Sequence, residues 1–368
     1  MAAALALAAG WWLVGGGSPA GVDARPVLER IWVVDAGLAT RYPQIGRGIR
    51  DAGGSVLVFD FPGATLPNGN RYVWVRDYGP LAMPSAEGGW IVWDARSGGS
   101  ATAELEHQAL PRLASAFGVP YRSLDLEVQG GNWLPLPDGR VITSRRFFED
   151  NRELGSRAEI ADLLGRTAGV RGLIEIAPMP GELTQHADMV VAVEPGSGAV
   201  LVARVWQQAI DLVPRGEEWD MYRELATAAR DSLDRTAQEL ARLLGDERVH
   251  RLPQPLPYLE RHPVEDRYRP SYPSFVNGVF VIDAQGGRTY LYGLAGDVAG
   301  EHSYSFDAPL VAAYRDEVDR VARELGFIAA AVDTGDLIRN GGSLHCATVE
   351  CSLDRRRGTI YREGDSGH

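Results

Sequence analysis

Apolar residues fall along this chain in two alternating rhythms. Short runs rich in β-branched and aromatic residues, Arg30-Ile31-Trp32-Val33-Val34 and Ser55-Val56-Leu57-Val58-Phe59, fit buried strands, and helix-like spacing runs between them to Asp51, ahead of Gly53-Gly54. The opening order is therefore strand, helix, strand. A strand at Ile91-Val92-Trp93 follows, then an amphipathic helix over 103–117 ended by Gly118-Val119-Pro120. Next come a strand at Val141-Ile142-Thr143 after the turn Pro137-Asp138-Gly139, and a short helix over 159–164. Residues 189–193 and 199–205 flank Glu194-Pro195-Gly196-Ser197-Gly198, a hairpin signature. The longest helical pattern, 219–244, stops at Gly245. A Pro-rich connection over 253–273 leads to a hairpin or strand pair at 276–282, a helix over 308–325 and a strand over 327–332. Strand groups and helices alternate throughout, which is an α/β pattern, and a degenerate repetition of strand, helix and strand units recurs every roughly 60 to 70 residues.

Composition narrows the class. With 45% hydrophobic residues, 23% charged and nine tryptophans in 368 residues, the chain can bury a large core and does not read as disordered. A net charge of -12 argues against nucleic-acid binding, which needs a basic surface, and is compatible with a cationic small substrate. The sequence sets no oligomeric state. Residues 1–17 carry no charge, and the apolar run 2–14 is shorter than the roughly 20 residues a membrane span takes. Residues 1–24 resemble a signal peptide without its basic n-region, so a secreted or periplasmic location, an uncleaved anchor, or a misplaced start codon in a cytoplasmic protein all fit. A single domain over 25–353 and a charged tail over 354–368 complete the expected organisation.

Only two cysteines occur, Cys346 and Cys351, both within or just after Asn340-Gly341-Gly342-Ser343-Leu344-His345-Cys346-Ala347-Thr348. A thiol behind a Gly-Gly turn is either a small buried hydrophobe or a presented nucleophile. Three other stretches carry polar residues beside glycine or small residues. In Trp74-Val75-Arg76-Asp77-Tyr78-Gly79-Pro80 a carboxylate is either half of a structural Arg-Asp pair or a ligand group; Gln129-Gly130-Gly131-Asn132-Trp133 is either a turn or a close backbone approach to a ligand. In Thr184-Gln185-His186-Ala187-Asp188, at the start of a predicted strand, the i, i+2 spacing sends His186 and Asp188 to one face, where they are a proton shuttle beside a carboxylate, a pair of metal ligands short of the three or four a zinc site wants, or a packed, hydrogen-bonded histidine. His345, next to Cys346, is expected to point away from the thiol if its segment is extended.

Together these motifs are more specific than their parts. Asp77, His186, Asp188 and Cys346, in this order, with Gly130-Gly131-Asn132 and Ser271-Tyr272 to Asn277-Gly278-Val279, resemble the guanidine-modifying enzyme superfamily. Within it the likeness is to the agmatine deiminase and Porphyromonas-type peptidylarginine deiminase family. The resemblance implies a five-bladed α/β propeller (pentein) of pseudo-fivefold ββαβ units. It also implies hydrolysis of a small-molecule or peptidyl guanidine, agmatine or arginine, to the ureido product with ammonia release, with no metal and no organic cofactor. Cys346 would be the nucleophile, His186 the acid and base, Asp77 and Asp188 the guanidinium clamps, and Trp74, Gln129, Gly131 and Asn132 substrate contacts. An amidinotransferase, a dihydrolase or a non-catalytic propeller are the alternatives. One departure bears on substrate: agmatine deiminases carry Glu-Gly-Gly where this chain has Gln129-Gly130-Gly131. The peptidylarginine branch instead reads a substrate carboxylate with arginines, and Arg96 lies in the comparable region; an ordinary surface arginine explains it equally well.

Overall fold

The computed structural model describes residues 28–60, 74–78, 81–84, 90–96, 110–111, 113–115, 120–261, 268–294, 308–335, 337 and 342–354. The N-terminal segment and most of the C-terminal tail lie outside these; the tail's first residue, Asp354, still belongs to a strand.

Among the described residues, five three-stranded sheets share one pattern, an antiparallel pair whose second strand is flanked by a parallel third. In chain order the middle strands are Leu28–Asp35, Trp90–Arg96, Arg140–Ser144, Val200–Arg204 and Arg288–Leu294. Their antiparallel partners are Val349–Asp354, Leu81–Pro84, Leu134–Pro135, Val191–Val193 and Val279–Ile282. Their parallel partners are Ser55–Phe59, Tyr121–Glu127, Gly172–Ile176, Val249–Pro253 and Ile328–Asp333. A parallel neighbour requires a crossover, and each one contains helix among the described residues. The crossovers hold Ala36–Arg41 with Pro43–Asp51, helical residues at 110–111 and 113–115, Arg157–Ala168, Glu217–Leu244 and Val311–Glu324. The first sheet joins the two ends of the chain, because Val349–Asp354 pairs with Leu28–Asp35.

Local chemistry explains several boundaries. The helix expected to run to Asp51 is two helices: Asp35 caps the first through its carboxylate, and Pro43, which has no N–H to donate, starts the second. The helix expected over 159–164 begins earlier because Ser156 and Glu159 form a reciprocal capping box, and it ends at Gly169 with φ of 70°. The Pro-rich connection contains an antiparallel pair, Tyr258–Arg261 with Tyr268–Ser271. The expected hairpin at 276–282 is one strand, Val279–Ile282, preceded by a bend.

The largest apolar cluster shows how a helix is held to its sheet. Tyr222, Ala226, Ala229, Leu233, Ala237, Leu240 and Leu244 recur every three or four residues along Glu217–Leu244, and all join the cluster that contains Val200, Leu201, Val202 and Ala203. Each large aliphatic side chain removed from water there contributes about 1.5–3 kcal/mol. Among the described residues, no helix is long and apolar enough to cross a membrane.

Candidate functional site

Each of the five antiparallel first strands is preceded by a short irregular segment, and these five segments meet. They are Trp74 with the helical turn Val75–Tyr78, Gln129 with Gly130–Asn132, His186 with Ala187–Met189, the bend ending at Asn277, and the turn holding His345 and Cys346. Their contacts run in a closed ring. Gly130 sits so close to the Arg76 carbonyl that a Cβ there would overlap it. Asn132 Oδ1 accepts from the Ala187 N–H at 2.9 Å, and the Asp188 carbonyl accepts from Asn277 Nδ2 at 3.3 Å. The Asn277 carbonyl accepts from the His345 N–H at 3.2 Å, and the Cys346 carbonyl accepts from the Arg76 N–H at 3.1 Å. Arg76 Nε also donates to the His345 carbonyl at 3.1 Å, doubling that last link.

Inside the ring lie a thiol, two carboxylates and two imidazoles. Asp77, His186, Asp188 and Cys346 are all buried, at 9%, 1%, 1% and 4% exposure. Cys346 Sγ is 3.6 Å from Asp188 Oδ2 and receives a hydrogen bond from Asn277 Nδ2 at 3.2 Å, while Asn277 Oδ1 accepts from the Cys346 N–H at 3.3 Å. Burial, then the Asp188 and Asp77 carboxylates, push the thiol well above its usual range, and the Asn277 donor opposes them only in part. The resting group is a neutral thiol. Burial would also raise Asp188, but the hydrogen bond from His345 and the positive surroundings overcome it and hold this carboxyl below the ordinary range. Asp188 Oδ1 has no hydrogen-bond partner among the described residues, and lies 3.1 Å from where a Cβ on Gly131 would be.

His345 corrects the sequence expectation. Residues 344–347 form a turn, so the alternation of an extended chain does not apply, and His345 Nδ1 lies 2.8 Å from Asp188 Oδ2. Burial and the nearby Arg76 charge lower its pKa against the pull of Asp188; the neutral ring donates its Nδ1–H to that carboxylate. His186 and Asp188 do face the same place, but not by strand alternation: His186 precedes a 3-10 turn, and the strand begins only at Val191. His186 Nδ1 is 3.7 Å from Asp77 Oδ1, and its Nε2 contacts Gln129 Oε1. The ring fits because position 131 is glycine, where a Cβ would come within 2.8 Å of His186 Cγ.

The structure brings Trp74, Asp77, Gln129, Gly131, Asn132, His186, Asp188 and Cys346 together; the ring of Trp74 lies over Gly342, where a Cβ would meet it at 2.6 Å. Arg96 ends a middle strand, in register with Glu127, and its side chain lies outside the described residues. Two residues that the sequence reading named without assigning to the site join it: His345, expected to point away, and Asn277, present only as part of a motif. The signal for Asn277 was its position just before a first strand, where every other site segment also sits. Cys351 is a free thiol in the strand Val349–Asp354, packed with Ile31, Val33 and Leu113 and pushed up to about 12 by burial, so it stays protonated and fills core.

No family model matches the sequence, and no curated protein matches it. Solved structures do. A C. jejuni agmatine deiminase superposes with a TM-score of 0.60 at 14% identity, over 89% of this chain and 94% of its own. The fold is that of the agmatine deiminases. A Porphyromonas gingivalis structure described as a candidate arginine deiminase matches at 0.55 and 20% identity, over 80% of this chain and 78% of its own. The N-terminal domain of a cyanobacterial arginine dihydrolase, solved with substrate bound, matches at 0.51 and 11% identity, over 88% and 98%. This agmatine deiminase fold is the α/β architecture expected from the sequence resemblance.

Proposed function

We propose that this protein hydrolyses a guanidine group to a urea with release of ammonia, acting on an arginine-type or agmatine-type substrate. One observation carries the reading: a buried thiol lies against a carboxylate whose second oxygen has no hydrogen-bond partner among the described residues, with a second carboxylate and a histidine beside it. Two carboxylates so close to a thiol oppose thiolate formation, and a bound cation reverses that. A guanidinium is planar and offers N–H donors on several sides, so Asp188 and Asp77 can hold it with its carbon against the sulfur.

The chemistry then runs in two halves. With the cation bound, the Cys346 S–H proton passes to His186 and the sulfur attacks the guanidinium carbon; His186 then gives that proton to the departing nitrogen, and the C–N bond breaks to release ammonia and leave an S-alkylthiouronium. His186 next takes a proton from water as its oxygen attacks the same carbon. The C–S bond breaks, the electron pair returns to sulfur, and the ureido product leaves. His186 serves this role rather than His345, whose Nδ1 is committed to Asp188.

The five ββαβ units support a pseudo-fivefold propeller closed by the pairing of the first and last strands, with the site at the ring where the five segments meet. The likeness to a dihydrolase domain supports a second reading in which the ureido product is cleaved again. A panel of agmatine, free arginine and peptides with internal or C-terminal arginine, scored for both ammonia and ureido product, tests these together. Equal amounts of the two from at least one compound are expected. Ammonia in excess of ureido product would assign a dihydrolase, and none from any compound would overturn the proposal.

Substrate-assisted ionisation makes a further prediction. Because burial and two carboxylates hold the thiol protonated at rest, iodoacetamide should label Cys346 slowly near pH 8, and a bound unreactive guanidinium analogue should raise the ultraviolet absorbance of the Cys346 thiolate at the same pH. Labelling that is fast in the free protein, or a thiolate absorbance unmoved by the analogue across a pH series, would overturn this account.

A further inference from the structure

Resting on the deimination reading, we propose that Gln129 is a positioning residue that keeps a proton on His186 Nε2, so that Nδ1 is the nitrogen that gives and takes protons at the reaction centre. The imidazole is 1% exposed and is held by contacts on both sides. On one side Nε2 meets Gln129 Oε1, in the residue that leads into the Gly130–Asn132 turn. On the other, Nδ1 is 3.7 Å from Asp77 Oδ1 and has no hydrogen-bond partner among the described residues.

An amide oxygen can only accept, so the nitrogen facing it must carry the hydrogen. A neutral imidazole has one such hydrogen, which leaves the lone pair on Nδ1. A second proton, taken first from the Cys346 thiol and later from water, then arrives on Nδ1 beside the Asp77 carboxylate; the first is given to the departing nitrogen and the second is returned to the sulfur. The choice of amide over carboxylate at this position has a physical consequence. The other charged and titratable groups around His186 are Asp77, the buried Asp188 and Glu182 of its own segment, and His345, which itself bonds Asp188. Three of these four are acidic. Another carboxylate on Nε2 would favour the imidazolium and add a further anion to the surroundings of the Cys346 sulfur; the amide orients the ring without adding charge.

Two substitutions and one spectrum test this. Nitrogen-15 histidine NMR of the resting protein should show His186 protonated on Nε2, with that signature lost in Gln129→Leu. Gln129→Leu should lower kcat by about 10²-fold, the scale of a displaced general acid and base, with KM changed less than about threefold. Gln129→Glu keeps an acceptor on Nε2, so it should recover part of that kcat while moving the acid limb of the pH–rate profile to higher pH. If the amide were turned the other way, its NH₂ would face a bare Nε2. The spectrum would then show the hydrogen on Nδ1, and Gln129→Glu would be no better than Gln129→Leu; either result overturns the proposal. The spectrum is read without turnover, so a protein that releases no ammonia from any guanidine loses the deimination reading while the tautomer is still decided.

Discussion

Replacing Cys346 with alanine is expected to abolish ureido-product formation, with a loss of at least about 10⁴-fold, while the fold survives. The size of the loss follows from the proposed substrate. A guanidinium carbon is a poor electrophile, and nothing else in the ring offers a comparable nucleophile, so water would have to attack without a covalent intermediate. The fold should survive because the change removes one sulfur from a site whose backbone is held independently. The Cys346 N–H and carbonyl bond Asn277 and Arg76, and Asn277 Nδ2 keeps the Asp188 carbonyl as a partner. Ureido-product colorimetry, with a thermal melt as the folding control, makes the measurement. Product formation within tenfold of the parent would remove Cys346 from the mechanism.

Asp188→Asn should move two observables in opposite directions. Turnover is expected to fall by about 10³-fold or more, because the fixed negative charge proposed to grip the guanidinium is lost where water is excluded. Alkylation of Cys346 in the absence of substrate should instead become faster. Asp188 Oδ2 is 3.6 Å from the sulfur, and its anion is, after burial, the main influence holding the thiol protonated. Each unit by which the thiol pKa falls gives about tenfold more thiolate at fixed pH, and a gain of about that size near pH 8 is expected. A purely structural role for Asp188 predicts something else: a melted site would lose turnover and expose Cys351 to alkylation as well. Peptide mapping of the labelled protein separates the cases. Slower labelling of Cys346 would show that Asp188 does not oppose its ionisation.

Several elements were legible because their residues declare them locally. The strand over 55–59 and the helix ending at Gly245 were readable from β-branched runs, 3.6-residue spacing and a glycine stop. The fivefold repetition was faint for a physical reason. The middle strands begin at 28, 90, 140, 200 and 288, and the fourth interval is stretched by a 28-residue helix and by the added pair of strands between 258 and 271. Uneven insertions erase a period in sequence while leaving the sheet pattern intact.

The site shows the same division. His186 and Asp188 were paired for a reason that does not hold, since a 3-10 turn and not a strand aims them together. His345 was turned outward by assuming an extended segment, whereas a turn brings its Nδ1 to Asp188. Asn277 could not be chosen from its neighbours, because its partners Asp188 and Cys346 lie 89 and 69 positions away.

What the sequence by itself determined was the set of reactive groups and the elements that carry them: one thiol behind a Gly-Gly turn, a carboxylate after Trp74, a His-x-Asp triplet, and alternating strands and helices. These follow from side-chain chemistry and from periodicities that act over a few residues. Only the tertiary structure decided which oxygen of Asp188 is engaged by His345, which nitrogen of His186 meets Gln129, and that the sulfur lies against a carboxylate and an amide donor. Those relations arise where five segments, far apart in the chain, are brought into contact by their sheets, and no local propensity encodes the angle at which they meet.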